Sequence, residues 1–300
     1  MLTRVATFAM NDEMLAGAMR TQAKLASAQL QEASGSVSGD FGGLGSQAGR
    51  YVSLQVSVTR SNAYEAAANE ANGRTQAMST GLSTLSDLIS QFRSDLVGAS
   101  GADGTSGLAA TAQTLLQDAQ ATLNTQYEGR YLFAGSATTT APVDVTALSA
   151  TPSASTADTA YYKGNGAAAS VRVSAEQTVS YGVTADNPAF EQLFRALNLV
   201  ASGGSSVSSQ TISQASSLTL AALDGVTGLQ SQTGLASSTL QRAATAQSDY
   251  QSFAASQISD INDVDVAAVT AKVSDYTAQL QASYSALSKI QGLNLVDYLR

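Results

Sequence analysis

Cysteine and histidine are both absent from this 300-residue chain. That removes disulfides, thiol nucleophiles, imidazole general bases and the usual zinc sites together. Proline is scarce. Its three copies, Pro142, Pro152 and Pro188, all fall in the middle, leaving 1–141 and 189–300 free of the residue that breaks a helix interior. Charge is thin as well, at 13% of residues against about a quarter in ordinary globular domains. Ala, Ser, Thr, Gln and Gly dominate instead, so much of the surface is neutral, small and polar. The formal net charge is -8 and no Lys or Arg cluster stands out, which argues against a nucleic-acid partner and against a polybasic membrane anchor. No segment reaches the roughly eighteen apolar residues that suggest a membrane span, so no membrane insertion is expected. The N-terminal MLTRVATFAMNDEM meets Asn11, Asp12 and Glu13 before an apolar core of signal-peptide length develops, and no conventional secretion signal is expected there.

What remains is a pattern of long helices. The proline-free arms predict a mainly α protein: an elongated antiparallel helical bundle or coiled coil built from both chain termini, with a small β-rich inserted lobe. The expected division is a terminal coiled-coil domain of 1–33 and 263–300, a helical rod of 50–137 and 188–262, and an outer lobe of 138–187.

In the first arm, Phe8, Leu15, Met19, Leu25 and Leu30 form a thin helical stripe that needs a partner helix. The Gly- and Ser-rich 34–49 reads as a break. From Tyr51 the period returns through Val52, Val56, Thr59, Ala63 and Ala66, then through Met78, Leu82, Leu85, Ile89, Phe92 and Leu96. The last six recur at steps of 4, 3, 4, 3 and 4, a coiled-coil-like seam. GASGADGTSG marks a connection, after which Leu108, Ala112, Leu115, Ala119 and Leu123 make the next stripe.

Beyond Pro142, strand positions are expected at Tyr161, Tyr162, Val171, Val173, Val179, Tyr181 and Val183, separated by Gly164, Gly166 and Gly182. Asn187 before Pro188 reads as the cap of a short helix to about Val200. The second arm, from about Gln210 to Asn262, carries few large residues: Leu218, Leu229, Leu240, Tyr250 and Ile261. Ala222, Ala236, Ala243, Ala244 and Ala254 between them permit close helix contact. Its last segment is stronger, with Val266, Val269, Val273, Tyr276, Leu280, Leu287 and Ile290 in register if Ser283 is a weak core position, and with Asp263 or Asp265 as cap.

Tyr, Ser, Asp and Lys remain for chemistry, but no triad or metal spacing appears, and neither an enzyme nor a cofactor is expected. GASGADGTSG lacks the Lys and Ser or Thr that end a phosphate loop, and GDFGG precedes no βαβ unit. INDVDVAAV lacks the acidic spacing and closing Glu of a calcium loop, so helix capping explains its acids better. The apolar tail of Leu293, Leu295, Val296, Tyr298 and Leu299 is expected to meet another helix, either of the same chain or of another subunit.

The most specific segment is NTQYEGRYLFAGSATTTAPV, starting at Asn124. Read physically, it is a helix ending at Glu128 and Gly129, followed by Tyr131, Leu132 and Phe133 entering the base of the lobe, with Gly135 admitting an unusual turn. It resembles the motif of the bacterial hook-filament junction proteins, the third hook-associated proteins of the flagellin superfamily. The resemblance rests on Gly129, Arg130, Tyr131, Leu132, Phe133, Ala134 and Gly135, completed by Thr138 and Pro142. YYKGNG, the terminal QASYSALSKIQGLNLVDYLR and the Gln-rich first helix are similar to that family too, whereas SGSVSGDFGGLG departs from its usual turn.

The resemblance implies a structural component of the flagellum, exported unfolded through the type III apparatus without a cleaved signal peptide. Its place would be extracellular, between the hook-side adaptor protein and the flagellin filament. Implied partners are other copies of the chain in a tubular layer, the hook-side junction protein, flagellin and an export chaperone. The assembly interface expected on this reading is Leu15, Met19, Val269, Val273, Tyr276, Leu280, Leu287 and Ile290. Two alternatives stay open: a flagellin filament subunit and, from another class, a secreted helical adhesin or effector.

Overall fold

Among the described residues six helices account for most of the chain, because the proline-free arms let backbone hydrogen bonds run on without interruption. The computed structural model describes residues 2–99, 105, 107–204 and 206–292. In order, the elements are α1 (Leu2–Ser34), a 3-10 segment (Phe41–Gln47), α2 (Ala48–Ala99), α3 (Leu108–Leu123), β1 (Gln126–Tyr127), β2 (Arg130–Tyr131), a 3-10 turn (Val145–Ala147), β3 (Ser170–Arg172), β4 (Thr178–Ser180), α4 (Pro188–Ala201), α5 (Ser209–Asn262) and α6 (Val266–Gly292). The architecture is a helical bundle with a small lobe holding two antiparallel ribbons, β1–β2 and β3–β4. The lobe is less regular than expected. Of its expected strand positions only Val171 and Val179 lie in strands, while Tyr162 makes an isolated bridge to Val143. The chain divides into two compact units, residues 1–59 with 250–300 and residues 60–249.

The larger unit carries the main core. On α2 the buried or half-buried positions run Ser61, Tyr64, Ala68, Ala71, Thr75, Met78, Leu82, Leu85, Ile89, Phe92, Leu96 and Ala99, alternating steps of three and four throughout. Leu82, Leu85, Ile89, Phe92 and Leu96 are wholly buried, each contributing about 1.5–3 kcal/mol by removal from water. They share one cluster with Leu108, Ala112, Leu115, Ala119 and Leu123 of α3 and with Phe190, Leu193, Phe194 and Leu197 of α4. On α5 the seam is Ile212, Ala215, Thr219, Ala222, Val226, Leu229, Thr233, Ala236 and Leu240. Its buried threonines cost little because each hydroxyl donates to the carbonyl one turn back, Thr219 to Ala215 and Thr233 to Leu229, both at 2.7 Å.

Two expected stripes shift, and one residue departs from a third. Val52, Val56, Thr59, Ala63 and Ala66 of α2 are all exposed, since the register set by Met78 to Leu96, carried back in threes and fours, lands on Ala71, Ala68, Tyr64 and Ser61. Tyr250 of α5 is also exposed. On α1, Leu15, Met19 and Leu30 are 47, 64 and 71% exposed, while Ala18, Thr21 and Ala28 are buried. The tail residues Leu293, Leu295, Val296, Tyr298 and Leu299 and most of GASGADGTSG lie outside the described residues.

Candidate assembly interface

In the smaller unit, α1 and α6 pack against each other along much of their length. The inward face of α6 is Val269, Val273, Tyr276, Leu280, Ser283 and Leu287, buried or half-buried in an alternating step of four and three, with Ser283 in the weak core position expected of it. Val266 falls outside this face, 48% exposed. The bulk therefore comes from α6, and α1 answers with Ala18, Thr21 and Ala28, small enough to let the axes approach. Asp265 caps α6 by accepting from Ala268 N–H at 3.1 Å, whereas Asp263 instead forms a bridge with Ser36. Gly35 and Val37 are tied to the start of the same turn: Val264 N–H donates to Gly35 O at 3.0 Å and Val37 N–H to Asn262 O at 2.6 Å. Thr270 Oγ1 adds a 2.6 Å bond to Glu32 Oε1.

Seven of the eight expected interface residues thus fall into two sets. Val269 is buried, and Val273, Tyr276, Leu280 and Leu287 are half-buried, on the side of α6 that forms the pair with α1. Leu15 and Met19 are exposed and belong to the other side of α1. Ile290 continues the α6 register by backbone position, and its side chain, like that of Phe8, lies outside what is described. Met10, 50% exposed, joins Leu15, Met19 and Leu30 as large apolar side chains left exposed on α1 among the described residues.

The segment 124–142 is the node where lobe and bundle are stitched. α3 stops at Leu123, and Glu128 and Gly129 are the two left-handed residues of the β1–β2 turn, φ 51 and 74 degrees, rather than a helix end. Consecutive left-handed residues are what a two-residue hairpin of this hand needs. Phe133 and Ala134 are wholly buried and Leu132 nearly so. Phe133 meets Phe190 edge-on at 6.1 Å, and its carbonyl accepts from Ala185 N–H at 2.9 Å. Asn124 holds Val143 with paired bonds of 2.8 and 2.9 Å, next to buried Pro142, whose carbonyl accepts from Lys163 N–H. Arg130 is exposed and donates to Thr138 Oγ1 at 3.3 Å. Gly135, φ 68 degrees, lies so close to Asn165 that a Cβ there would sit 2.1 Å from its carbonyl oxygen.

Below the node, Tyr161 is wholly buried and donates to Ala185 O at 2.8 Å. Burial, with Glu191 nearby, pushes its phenol far above the ordinary range. Burial and then Asp186 push the Tyr162 phenol up to about 12. These are structural tyrosines, locked by their hydrogen bonds. Among the described residues no group of His, Cys, Asp or Glu could hold a metal ion, and no helix is long and apolar enough to cross a membrane.

Two chain ends paired as helices in one unit, with a lobe inserted between distant helical segments, define a class of helical structural subunit. The family model for the bacterial flagellin N-terminal helical region matches residues 5–138, and that for the C-terminal helical region matches 216–299. The chain belongs to the flagellin family; it is a structural protein of the bacterial flagellum and not an enzyme. Its fold is shared with hook-associated proteins. A protein of Vibrio parahaemolyticus described as flagellar hook-associated superposes with a TM-score of 0.59 at 16% identity, over 71% of this chain and 96% of that one. FlgL of Bacillus cereus gives 0.58 at 12%, over 69% and 99%, and flagellar hook-associated protein-3 of Legionella pneumophila gives 0.55 at 13%, over 69% and 98%. No curated protein matches the chain by sequence.

Proposed function

We propose that this chain is a hook-filament junction protein, joining the hook-side adaptor protein to the flagellin filament. The observation that carries the reading is the fold, which spans nearly the whole of three hook-associated proteins. The Gly129–Gly135 run agrees with it, forming the node at the base of the lobe. On this reading the terminal regions 1–33 and 263–300, the rod segments 50–137 and 188–262 and the lobe 138–187 act as separate domains. Copies associate in a tubular layer through Leu15 and Met19 and through the part that α1 leaves uncovered of the α6 positions Val269, Val273, Tyr276, Leu280, Leu287 and Ile290. The protein travels unfolded through the type III apparatus with an export chaperone, without cleavage of a signal peptide, and a cysteine-free chain meets no disulfide trap on that route.

Flagellin itself is the second reading, because both matching family models are flagellin's own. Electron microscopy of cells lacking the chain separates the two. The junction role expects finished hooks without filaments and flagellin lost to the medium; normally attached filaments would reject it.

A further inference from the structure

The stretch 148–161 has neither helix nor strand, yet it is held in one shape. Glu191 and Arg195 of α4 form an ion pair at 3.1 Å with side chains only 5 and 11% exposed. Each also reaches the loop: Glu191 Oε1 accepts from Asp158 N–H at 2.9 Å, and Arg195 Nη1 donates to Ala154 O at 3.1 Å. Asn198 donates to Ser149 O at 2.9 Å. Asp158 closes the loop on itself, accepting from Ser149 N–H at 2.8 Å and from Ala160 N–H at 3.0 Å. Ordering an irregular stretch of this length is uncommon in loops that only connect, and burying an ion pair to do so is costly.

Between the loop and α4 lies a cleft of about 330 Å³, within the range of small-molecule sites. We propose that it is a binding site for one saccharide unit, so that the lobe is a glycan-reading module beyond its place in the assembly. The lining selects the class. Arg195 is already compensated by Glu191, and Asp158 leaves one net negative charge on the three, which disfavours a phosphate or carboxylate ligand. Asp158 and the Asn198 side-chain carbonyl present acceptor lone pairs, and Thr151 and Thr156 offer hydroxyls that donate or accept. Leu148 and Pro152 add an apolar wall. Alternating hydroxyls and C–H faces are what a neutral sugar offers in return.

The test is saturation-transfer NMR on the full-length soluble subunit with glucose, galactose, mannose and N-acetylglucosamine as separate probes, and acetate as the anionic control. Saturable transfer to at least one sugar is expected. It should vanish in Thr151→Val combined with Thr156→Val, which removes both cleft hydroxyls from exposed loop positions at nearly constant size, while circular dichroism and flagellar assembly of that variant stay unchanged. Failure to see transfer from any of the four sugars overturns the proposal, as does transfer that survives in the variant or appears with acetate alone. None of these results bears on the junction reading, which the deletion phenotype decides.

Discussion

Gly135 and Gly129 both hold left-handed backbone, φ 68 and 74 degrees, but only one of them touches anything where a side chain would go. Around Gly129 a Cβ would meet nothing within 4 Å, whereas at Gly135 it would sit 2.1 Å from Asn165 O and 2.5 Å from Asn165 Oδ1. Gly129→Ala therefore isolates the conformational penalty, about 1–2 kcal/mol. Gly135→Ala incurs that penalty and also displaces Asn165. Five hydrogen bonds depend on that residue: its N–H to Ala134 O at 3.2 Å, Ser136 N–H and Ala167 N–H to its Oδ1 at 2.9 and 3.1 Å, its Nδ2 to Ser136 Oγ at 2.6 Å, and the Tyr162 hydroxyl to its carbonyl oxygen at 2.7 Å. At roughly 1 kcal/mol each, partial loss brings the expected total to about 3–4 kcal/mol. Equilibrium urea unfolding of the soluble subunit measures the difference, followed by far-UV circular dichroism and by tyrosine fluorescence, which no Trp obscures. Equal losses for the two variants would refute the close-approach argument, because strain at φ alone would then explain both.

Leu15→Glu with Met19→Glu should leave the helicity of the free subunit unchanged, since both side chains are exposed, yet abolish its incorporation into flagella; Leu280→Glu, half-buried on the α6 face, should lower both. Incorporation unchanged in all of these variants would remove the terminal helices from the interface. Arg195→Met leaves Glu191 buried without its cation and should cost about 3 kcal/mol in urea, while Glu191→Leu combined with Arg195→Met should recover most of it; additive losses in that cycle would show the pair to be uncoupled. In an alkaline spectrophotometric titration Tyr161 and Tyr162 should ionise last. A phenol whose folded pKa is raised contributes stability that is complete below its unfolded pKa near 10 and is lost as pH rises toward the folded value, so the lobe should weaken between about pH 10 and the folded value of about 12 for Tyr162; an unchanged urea midpoint across that window would contradict the burial.

How far the fold was legible depended on which residues carried the register. Where large apolar side chains mark it, as from Met78 to Leu96 or from Val269 to Leu287, the seam and its inward face agree with the sequence reading, including the substitution of Ser283 for a hydrophobe. Where small residues carry it, apolar identity misleads: Val52 and Val56 attract attention, but the buried positions farther along α2 are Ser61, Ala68, Ala71 and Thr75. Propagating the phase of the strong segment backwards would have found them, because a helix holds its period whatever the side chains are. The node was harder to read. Glu is not a residue expected at positive φ, so nothing local marked Glu128–Gly129 as a hairpin turn, and the loop 148–161 is held to α4 by contacts between residues as far apart as Ser149 and Asn198.

The places where large apolar residues failed to find a partner bear directly on function. In the larger unit the seam is complete: its Leu, Ile and Phe side chains on α2 are wholly buried by the chain itself, and a core of that kind can hold without help. The smaller unit differs. Of the α6 inward face only Val269 is fully buried, and α1 turns Ala18 and Ala28 inward while Leu15, Met19 and Leu30 face out. A two-helix pair cannot cover both sides of either helix, and so few large contacts hold isolated helices poorly in water. An apolar face of that kind is stable only when something covers it. The contrast is one of degree, since Val97, Leu220 and Leu235 of the larger unit are exposed too, but the wholly buried seam lies there and the thin one in the terminal pair, which is the division the proposed interface between copies requires.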